Sequence, residues 1–275
     1  MTATLPVRRV RFQWPDDVDL AWTPRVPELA YAANAVSMLM PHAEPYVVAS
    51  TRAALDEGLV ADPDLADEAK AYAAQEAQHH GQHRRFNDLL VARWGGLARV
   101  DGWLARWFGF LRRRSTRFGL AFAAGFETVA FVAARWVDQH QSLMRDAEPT
   151  VATLFLWHLA EEVEHKRVAF DVYQASGGGR LRYAAATWVA AITMAVGAFA
   201  ATLVMLAGEG RLFSPTAHLR LARWSLSYVF AAVPVMVVSA LPGHHPGDLA
   251  DPAGLDHWLE HLDPETSTVP EYALP

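Results

Sequence analysis

The chain of 275 residues, 52% of them hydrophobic, is long enough for one large domain or two modest ones and supplies ample core, which excludes global disorder. Thirty acidic against 24 basic side chains leave a net charge of −6, the wrong sign for a protein that lives on nucleic-acid phosphates. Cysteine is absent, so disulfide scaffolds, thiolate zinc sites, iron–sulfur clusters and thiol nucleophiles are excluded, and any metal must rest on carboxylates and the 12 histidines.

Met1 to Asp17 carries Arg8, Arg9 and Arg11 without the apolar stretch of a secretory signal, so a cytoplasmic product is expected, with residues 1–26 as an N-terminal extension. From Pro27 onward the chain reads as helix, Ala-rich and Leu-rich, with no convincing strand. A first helical segment spans Pro27 to Glu57, bent or restarted by Pro41 and Pro45. Asp62 and Pro63 form an N-cap and first-turn pair that opens a second helix to Trp94, where Gly95 and Gly96 stop it. The connection from Gly95 to Ser115 can span a bundle's full length, with Trp103, Trp107, Phe108 and Leu111 on one helical stripe and Arg106, Arg112, Arg113 and Arg114 nearby. Ser115 caps a third helix that reaches about Arg145, and Pro149 opens a fourth that ends before Gly177. Residues 27–175 therefore read as an all-α bundle, two antiparallel helix pairs joined by one long crossover.

Beyond the glycines, Tyr183 to Gly208 and Trp224 to Gly243 carry no charge, the second run being interrupted by Pro234. At roughly 1.5 Å per residue the first covers about 39 Å, enough to cross a hydrocarbon layer of about 30 Å with tilt. The expectation for this apolar helical hairpin, residues 183–243, is a transmembrane or membrane-anchoring role rather than burial against the bundle, because a bundle of this size has little surface to bury both helices. Residues 244–275 read as an acidic, irregular tail: the stretch from Pro246 onward has seven acids and no base.

Glu76-Ala77-Gln78-His79 on the second helix and Glu162-Val163-Glu164-His165 on the fourth share the Glu-x-x-His spacing, which puts both side chains of each pair on one helical face. Glu44 lies 32 residues before Glu76 and Glu127 lies 35 before Glu162, so each half of the chain repeats a glutamate followed by a chelating pair. The surrounding turns are apolar, with Met38, Val47, Tyr72, Phe126, Phe131, Phe155 and Val168. Buried carboxylates without counter-charge are very costly, whereas two divalent cations offset four glutamates and two imidazoles complete the set. This is the ligand inventory of di-iron and di-manganese helix bundles, which makes the expected fold a ferritin-like four-helix bundle with a long crossover, followed by the apolar hairpin.

Gln75-Glu76-Ala77-Gln78-His79 with His83 to Asn87, and the run from Trp157 to Tyr173, resemble the predicted metal-dependent hydrolase family of ferritin-like proteins. So do Val36 to Glu44, similar to that family's apolar-Pro-x-x-Glu segment, and Pro242-Gly243-His244-His245-Pro246, similar to its Pro-Gly-x-His-Pro ending. The resemblance spans almost the whole chain. It implies Glu44, Glu76, His79, Glu127, Glu162 and His165 as metal ligands, with His83 and His158 close by.

By helical period His83 and His158 share the metal-facing stripe, as ligands or as hydrogen-bonding orienters. Glu161 and Glu164 cannot both face inward alongside Glu162, Asp171 is a candidate to orient His165, and His80 is expected at the surface. His244 and His245 suit a turn or lid, or a third metal.

Iron is the first metal expected and manganese the second, because hard oxygen ligands stabilise the higher charge reached after oxidation. The first expectation for the reaction is therefore an oxidase or oxygenase. In that reading dioxygen is a co-substrate, an external protein donates electrons, and a small apolar or lipid-like substrate sits in space left near Glu127 by Ala121, Ala123, Ala124 and Gly125. The alternative is hydrolysis, in which one metal acidifies a water, the other polarises a carbonyl or phosphoryl oxygen, and Glu161 or His158 carries the proton. A third reading is non-enzymatic iron handling. A homodimer is compatible with the sequence, and no nucleic-acid partner is expected.

Overall fold

The computed structural model of the protein describes residues 5–254. Among them no strand occurs, and eight α-helices carry the chain: α1 Pro27–Ser37, α2 Met40–Asp56, α3 Pro63–Arg93, α4 Leu97–Leu111, α5 Thr116–Gln139, α6 Pro149–Ala175, α7 Arg180–Gly208 and α8 Pro215–Ala240. The protein is all-α, as its composition and periodicity require.

Local chemistry sets the helix ends. The single first segment expected from the sequence is two helices. Pro41 stands in the first turn of α2, where its missing N–H leaves no orphan, so the chain restarts there. Pro45 lies inside α2 and removes the bond that the Pro41 carbonyl would have accepted, and Arg84 Nη2 donates to that carbonyl at 3.3 Å instead. Asp62 caps α3 by accepting from the Asp64 N–H at 3.0 Å, and Ser115 caps α5 through the Phe118 N–H at 3.3 Å. α5 stops at Gln139 rather than near Arg145, and a 3-10 turn over Gln141–Met144 leads into α6, which Glu148 caps through the Val151 N–H at 2.7 Å.

α2, α3, α5 and α6 form the bundle, each packed on two of the others, with α3 and α5 at opposite corners. α3 and α6 run antiparallel, as Gln75 meets His165 and His83 meets His158. α4 is the crossover between α3 and α5; its buried stripe is Leu97, Val100, Leu104, Phe108 and Leu111, while Trp103 and Trp107 are half-buried. Tyr72, Phe86, Phe122, Phe126, Phe131 and Phe170 fill the interior. Ahead of α1, Val10, Phe12 and Trp22 are buried, so the N-terminal segment packs into the core.

Among the described residues three helices are long and apolar enough to cross a membrane: α5, α7 and α8. α5 is the inner wall of the bundle. α7 packs on α5 and α1, and its approach is close because small residues allow it: a Cβ on Gly125 would lie 2.5 Å from the Thr187 Cα. The small side chains near Glu127 are therefore taken up by α7, which corrects the expectation that Ala121, Ala123, Ala124 and Gly125 leave room for substrate. α8 begins at Pro215 rather than Trp224 and also lies on α5, where Tyr228 donates to the Val129 carbonyl at 3.2 Å. Of the expected acidic tail, residues 255–275 lie outside the described residues.

Candidate metal centre

Four helices bring four carboxylates and three imidazoles to one buried point. Glu44 comes from α2, Glu76 and His79 from α3, Glu127 from α5, and His158, Glu162 and His165 from α6. Donor atoms of Glu76, His79, Glu162 and His165 lie within 4.8 Å of one another, as do those of Glu44, His79 and His158. Glu162 Oε1 is the hub, 2.8 Å from His158 Nε2, 3.3 Å from His79 Nδ1 and 3.7 Å from His165 Nδ1. His165 Nδ1 is also 2.8 Å from Glu76 Oε1 and 3.8 Å from Glu127 Oε2. Glu44 Oε1 faces His158 Nε2 at 3.3 Å, so Pro45 has not turned Glu44 away.

Outer hydrogen bonds fix the tautomer of each histidine. His79 Nε2 donates to Glu161 Oε2 at 2.8 Å, and Glu161 is held by Arg8 Nη1 at 3.0 Å. His165 Nε2 donates to Gln75 Oε1 at 2.8 Å; the Gln75 amide is oriented because its nitrogen donates to the Pro6 carbonyl and to Glu164. On the far side, Asn87 Nδ2 donates to the Ser37 carbonyl, Ser37 Oγ donates to Asn87 Oδ1, and His83 Nδ1 donates to Ser37 Oγ at 2.7 Å. His83 Nε2 must then accept from His158 Nδ1 at 2.7 Å. In their neutral forms His79, His158 and His165 therefore each turn a lone pair inward, toward the four carboxylates.

This arrangement fits cations. Both oxygens of Glu44 and Glu76, one oxygen each of Glu127 and Glu162, and Nδ1 of His79 and His165 are buried without a hydrogen-bond partner. Such groups are strongly disfavoured unless a metal satisfies them. The electrostatics agree: burial, then the charge of Glu76, pushes the Glu44 carboxyl well above its usual range, and burial with Glu162 and Glu76 does the same to Glu127. Burial pulls the His165 imidazolium down, but Glu162 and Glu76 outweigh it and push His165 up to about 9, a proton standing where positive charge is wanted. His158 and His83 are lowered, first by burial and then by neighbouring histidines.

A family model described as a predicted metal-dependent hydrolase matches residues 6–250. The chain belongs to that family. No curated protein and no solved structure matches it. Membership in a family described as predicted metal-dependent hydrolases corrects the expected oxidase or oxygenase; hydrolysis is the reaction class that the family description supports.

His83 stands one shell outside the donors, on His158. Glu161 faces His79 from behind and is ion-paired to Arg8, away from the pocket. Glu164 pairs with Arg8 at 2.8 Å. Asp171 does not reach His165; it accepts from Arg167 at 2.7 Å and from His245 at 2.8 Å. His80 is half-buried, with Nδ1 3.1 Å from the Glu76 carbonyl. His245 closes a turn in which its Nδ1 accepts from the Gly247 N–H at 2.9 Å, His244 is exposed, and neither belongs to a metal-capable cluster among the described residues. Arg8 lay outside the motifs, and Gln75, Ser37 and Asn87, although within them, were assigned no role by motif reading. Gln75 and Glu161 had a signal: each immediately precedes the glutamate of a Glu-x-x-His pair, and each reaches the histidine of the opposite helix.

Proposed function

We propose that the protein is a hydrolase that uses two divalent cations held by Glu44, Glu76, His79, Glu127, Glu162 and His165. The observation that carries this reading is the convergence of four buried carboxylates and three imidazoles whose inner oxygens and nitrogens are mostly without hydrogen-bond partners. Four negative charges call for two divalent ions, and the mixed oxygen and imidazole donors suit first-row metals such as iron, manganese or zinc. When bound, such ions acidify a water and polarise the bond to be cleaved.

The chain's own residues handle the proton. His158 is the donor-shell residue with access to solvent, 6% exposed where the six proposed ligands are at most 1%. Burial keeps it neutral, so its Nε2 accepts the proton of the attacking water and returns it to the leaving group, while its Nδ1 proton stays on the 2.7 Å contact to His83 Nε2, which holds the ring in that tautomer. Glu161 holds His79 in its metal-binding tautomer and takes no part in this transfer. The substrate class is a small, apolar or lipid-like molecule with a hydrolysable bond, in keeping with attachment of the enzyme to a membrane through α7 and α8, whose length and apolarity support that location.

Metal analysis of protein purified without chelators tests the centre. About two equivalents are expected, lost together in Glu76→Ala and Glu162→Ala; a metal-free wild type would overturn the reading. A panel of model esters and phosphoesters, assayed without oxygen after reconstitution with Mn(II) or Zn(II), tests the reaction. His158→Gln should keep its metal and lose about 10²–10⁴-fold in turnover. Loss of metal rather than turnover in that variant would make His158 a ligand.

A further inference from the structure

α7 inverts the pattern of a water-exposed helix. Ala186, Ala190, Gly197 and Ala201 are turned to the protein, while Trp188, Ile192, Val196 and Phe199 are turned outward, with Ile192 57% and Phe199 66% exposed. α8 repeats this: Leu226, Val229, Phe230, Val237 and Val238 are exposed along a run without charge. On the other edge of α7 lies α4, antiparallel to it: Val204 packs where Gly96 has no side chain, and Trp107 Nε1 donates to Thr193 Oγ1 at 3.0 Å. The exposed Phe110 ring extends this flank, with the Arg114 guanidinium 4.2 Å from its centre.

Charge follows the same geography. Residues 180–245 contain five arginines against one glutamate in a chain whose net charge is −6; Arg211 and Arg220 face Glu28 of α1, which leaves Arg180, Arg182 and Arg223, and Arg112, Arg113 and Arg114 follow the end of α4. An apolar surface edged by tryptophan, phenylalanine and arginine complements an anionic lipid leaflet. A second copy of the chain would bring like charges together along its edges.

The packing also decides how the flank can meet lipid. α7 runs the length of the bundle, from the α6 end, where Arg117 reaches the Ser176 carbonyl, to Gly208 against Trp94 at the end of α3. α3 spans the same length on the opposite corner and exposes Asp67, Lys70, Arg84, Arg85 and Asp88. Standing α7 upright across a bilayer would carry these charges to hydrocarbon depth, at about 2.5–3.5 kcal/mol or more each near the centre.

We propose that α7 and α8 lie in the plane of one anionic membrane leaflet, their outward faces in the lipid and α3 turned to water, so that the hairpin attaches the protein without crossing the bilayer. This deepens the membrane attachment proposed above and is independent of the reaction. The absence of native cysteine gives a direct test. Single cysteines are placed at Asp67 on α3, at Arg182 and Thr216 at opposite ends of the hairpin, and at Ile192 and Phe230 on the outward face. Full-length protein is then labelled with a membrane-impermeant maleimide in sealed vesicles of known sidedness. Asp67→Cys, Arg182→Cys and Thr216→Cys should label alike from the bundle's side, with Ile192→Cys and Phe230→Cys protected until detergent is added. Labelling of Arg182→Cys and Thr216→Cys from opposite sides would establish spanning and overturn the in-plane arrangement while leaving attachment intact. Failure to float with vesicles containing anionic lipid, with Ile192→Cys as reactive as Asp67→Cys, would overturn attachment itself. A soluble dimer in which Ile192→Cys cross-links to its copy would assign the face to a second chain and overturn the proposal.

Discussion

Glu161 and Glu162 are neighbours in sequence with opposite tasks: Glu162 is the hub of the carboxylate cluster, and Glu161 points to the outer nitrogen of His79 on the facing helix. The cross-over is reciprocal, because Gln75 on α3 orients His165 on α6. These bonds decide whether each inner nitrogen is a lone pair, so their removal should weaken metal binding without touching a ligand. Outer partners of ligating histidines are commonly worth about 10–100-fold in affinity. Glu161→Ala is therefore expected to lose affinity in that range, Glu161→Gln less because its amide oxygen still accepts from His79, and Arg8→Ala in the same direction. Competition with a chromophoric chelator measures this, with far-UV circular dichroism as the check on fold; unchanged affinity in Glu161→Ala would show that His79 needs no orienting partner. The glutamates and Glu-x-x-His pairs were legible in the sequence because helical period alone puts them on one face. The orienting residues were not, since Arg8 arrives from a segment without periodicity and Ser37 with Asn87 acts through His83 across two helices.

At the scale of elements, legibility followed the backbone chemistry. Pro27, Pro63 and Pro149 at first turns and Asp62 or Ser115 at caps mark helix starts in sequence, and those starts stand within a residue or so of where they were expected, whereas Pro215 was passed over and α8 begins nine residues before Trp224. What sequence could not give was which surface covers which: the small residues around Glu127 look like room for a ligand until Thr187 of α7 is seen against Gly125. That contact yields a prediction. A methyl group at Gly125 would meet the Thr187 backbone and hydroxyl at 2.5–2.8 Å, and neither can move without shifting α7. Gly125→Ala should destabilise the protein by about 1–3 kcal/mol, as overpacking does, and weaken metal binding because α5 carries Glu127. Gly109→Ala, on α4 with nothing within 4 Å, should instead stabilise by about 0.5–1 kcal/mol. Denaturant midpoints distinguish the two, and a neutral Gly125→Ala would mean that α5 and α7 separate easily.

At the scale of the whole molecule, the carboxylate cluster sits where all four bundle helices converge, and α7 and α8 cover the bundle from one side only. The fold is therefore fastened at its middle by whatever charge the centre holds. Unfolding disperses the four glutamates into water, where they need no cation, so metal bound to the folded state alone stabilises it by mass action. For a single ion present at about 100 times its dissociation constant the gain is about 2.7 kcal/mol, which in a chain of this size corresponds to a melting temperature about 5–10 °C higher. Chelation should therefore lower the melting temperature by at least that amount, and metal should restore it. The same treatment of Glu76→Ala should have little effect, because that variant has already lost the ions. A wild-type melting temperature indifferent to chelator and to added Mn(II) or Zn(II) would mean that the buried glutamates are neutralised by protons, and the helix bundle would then be held by its apolar packing alone.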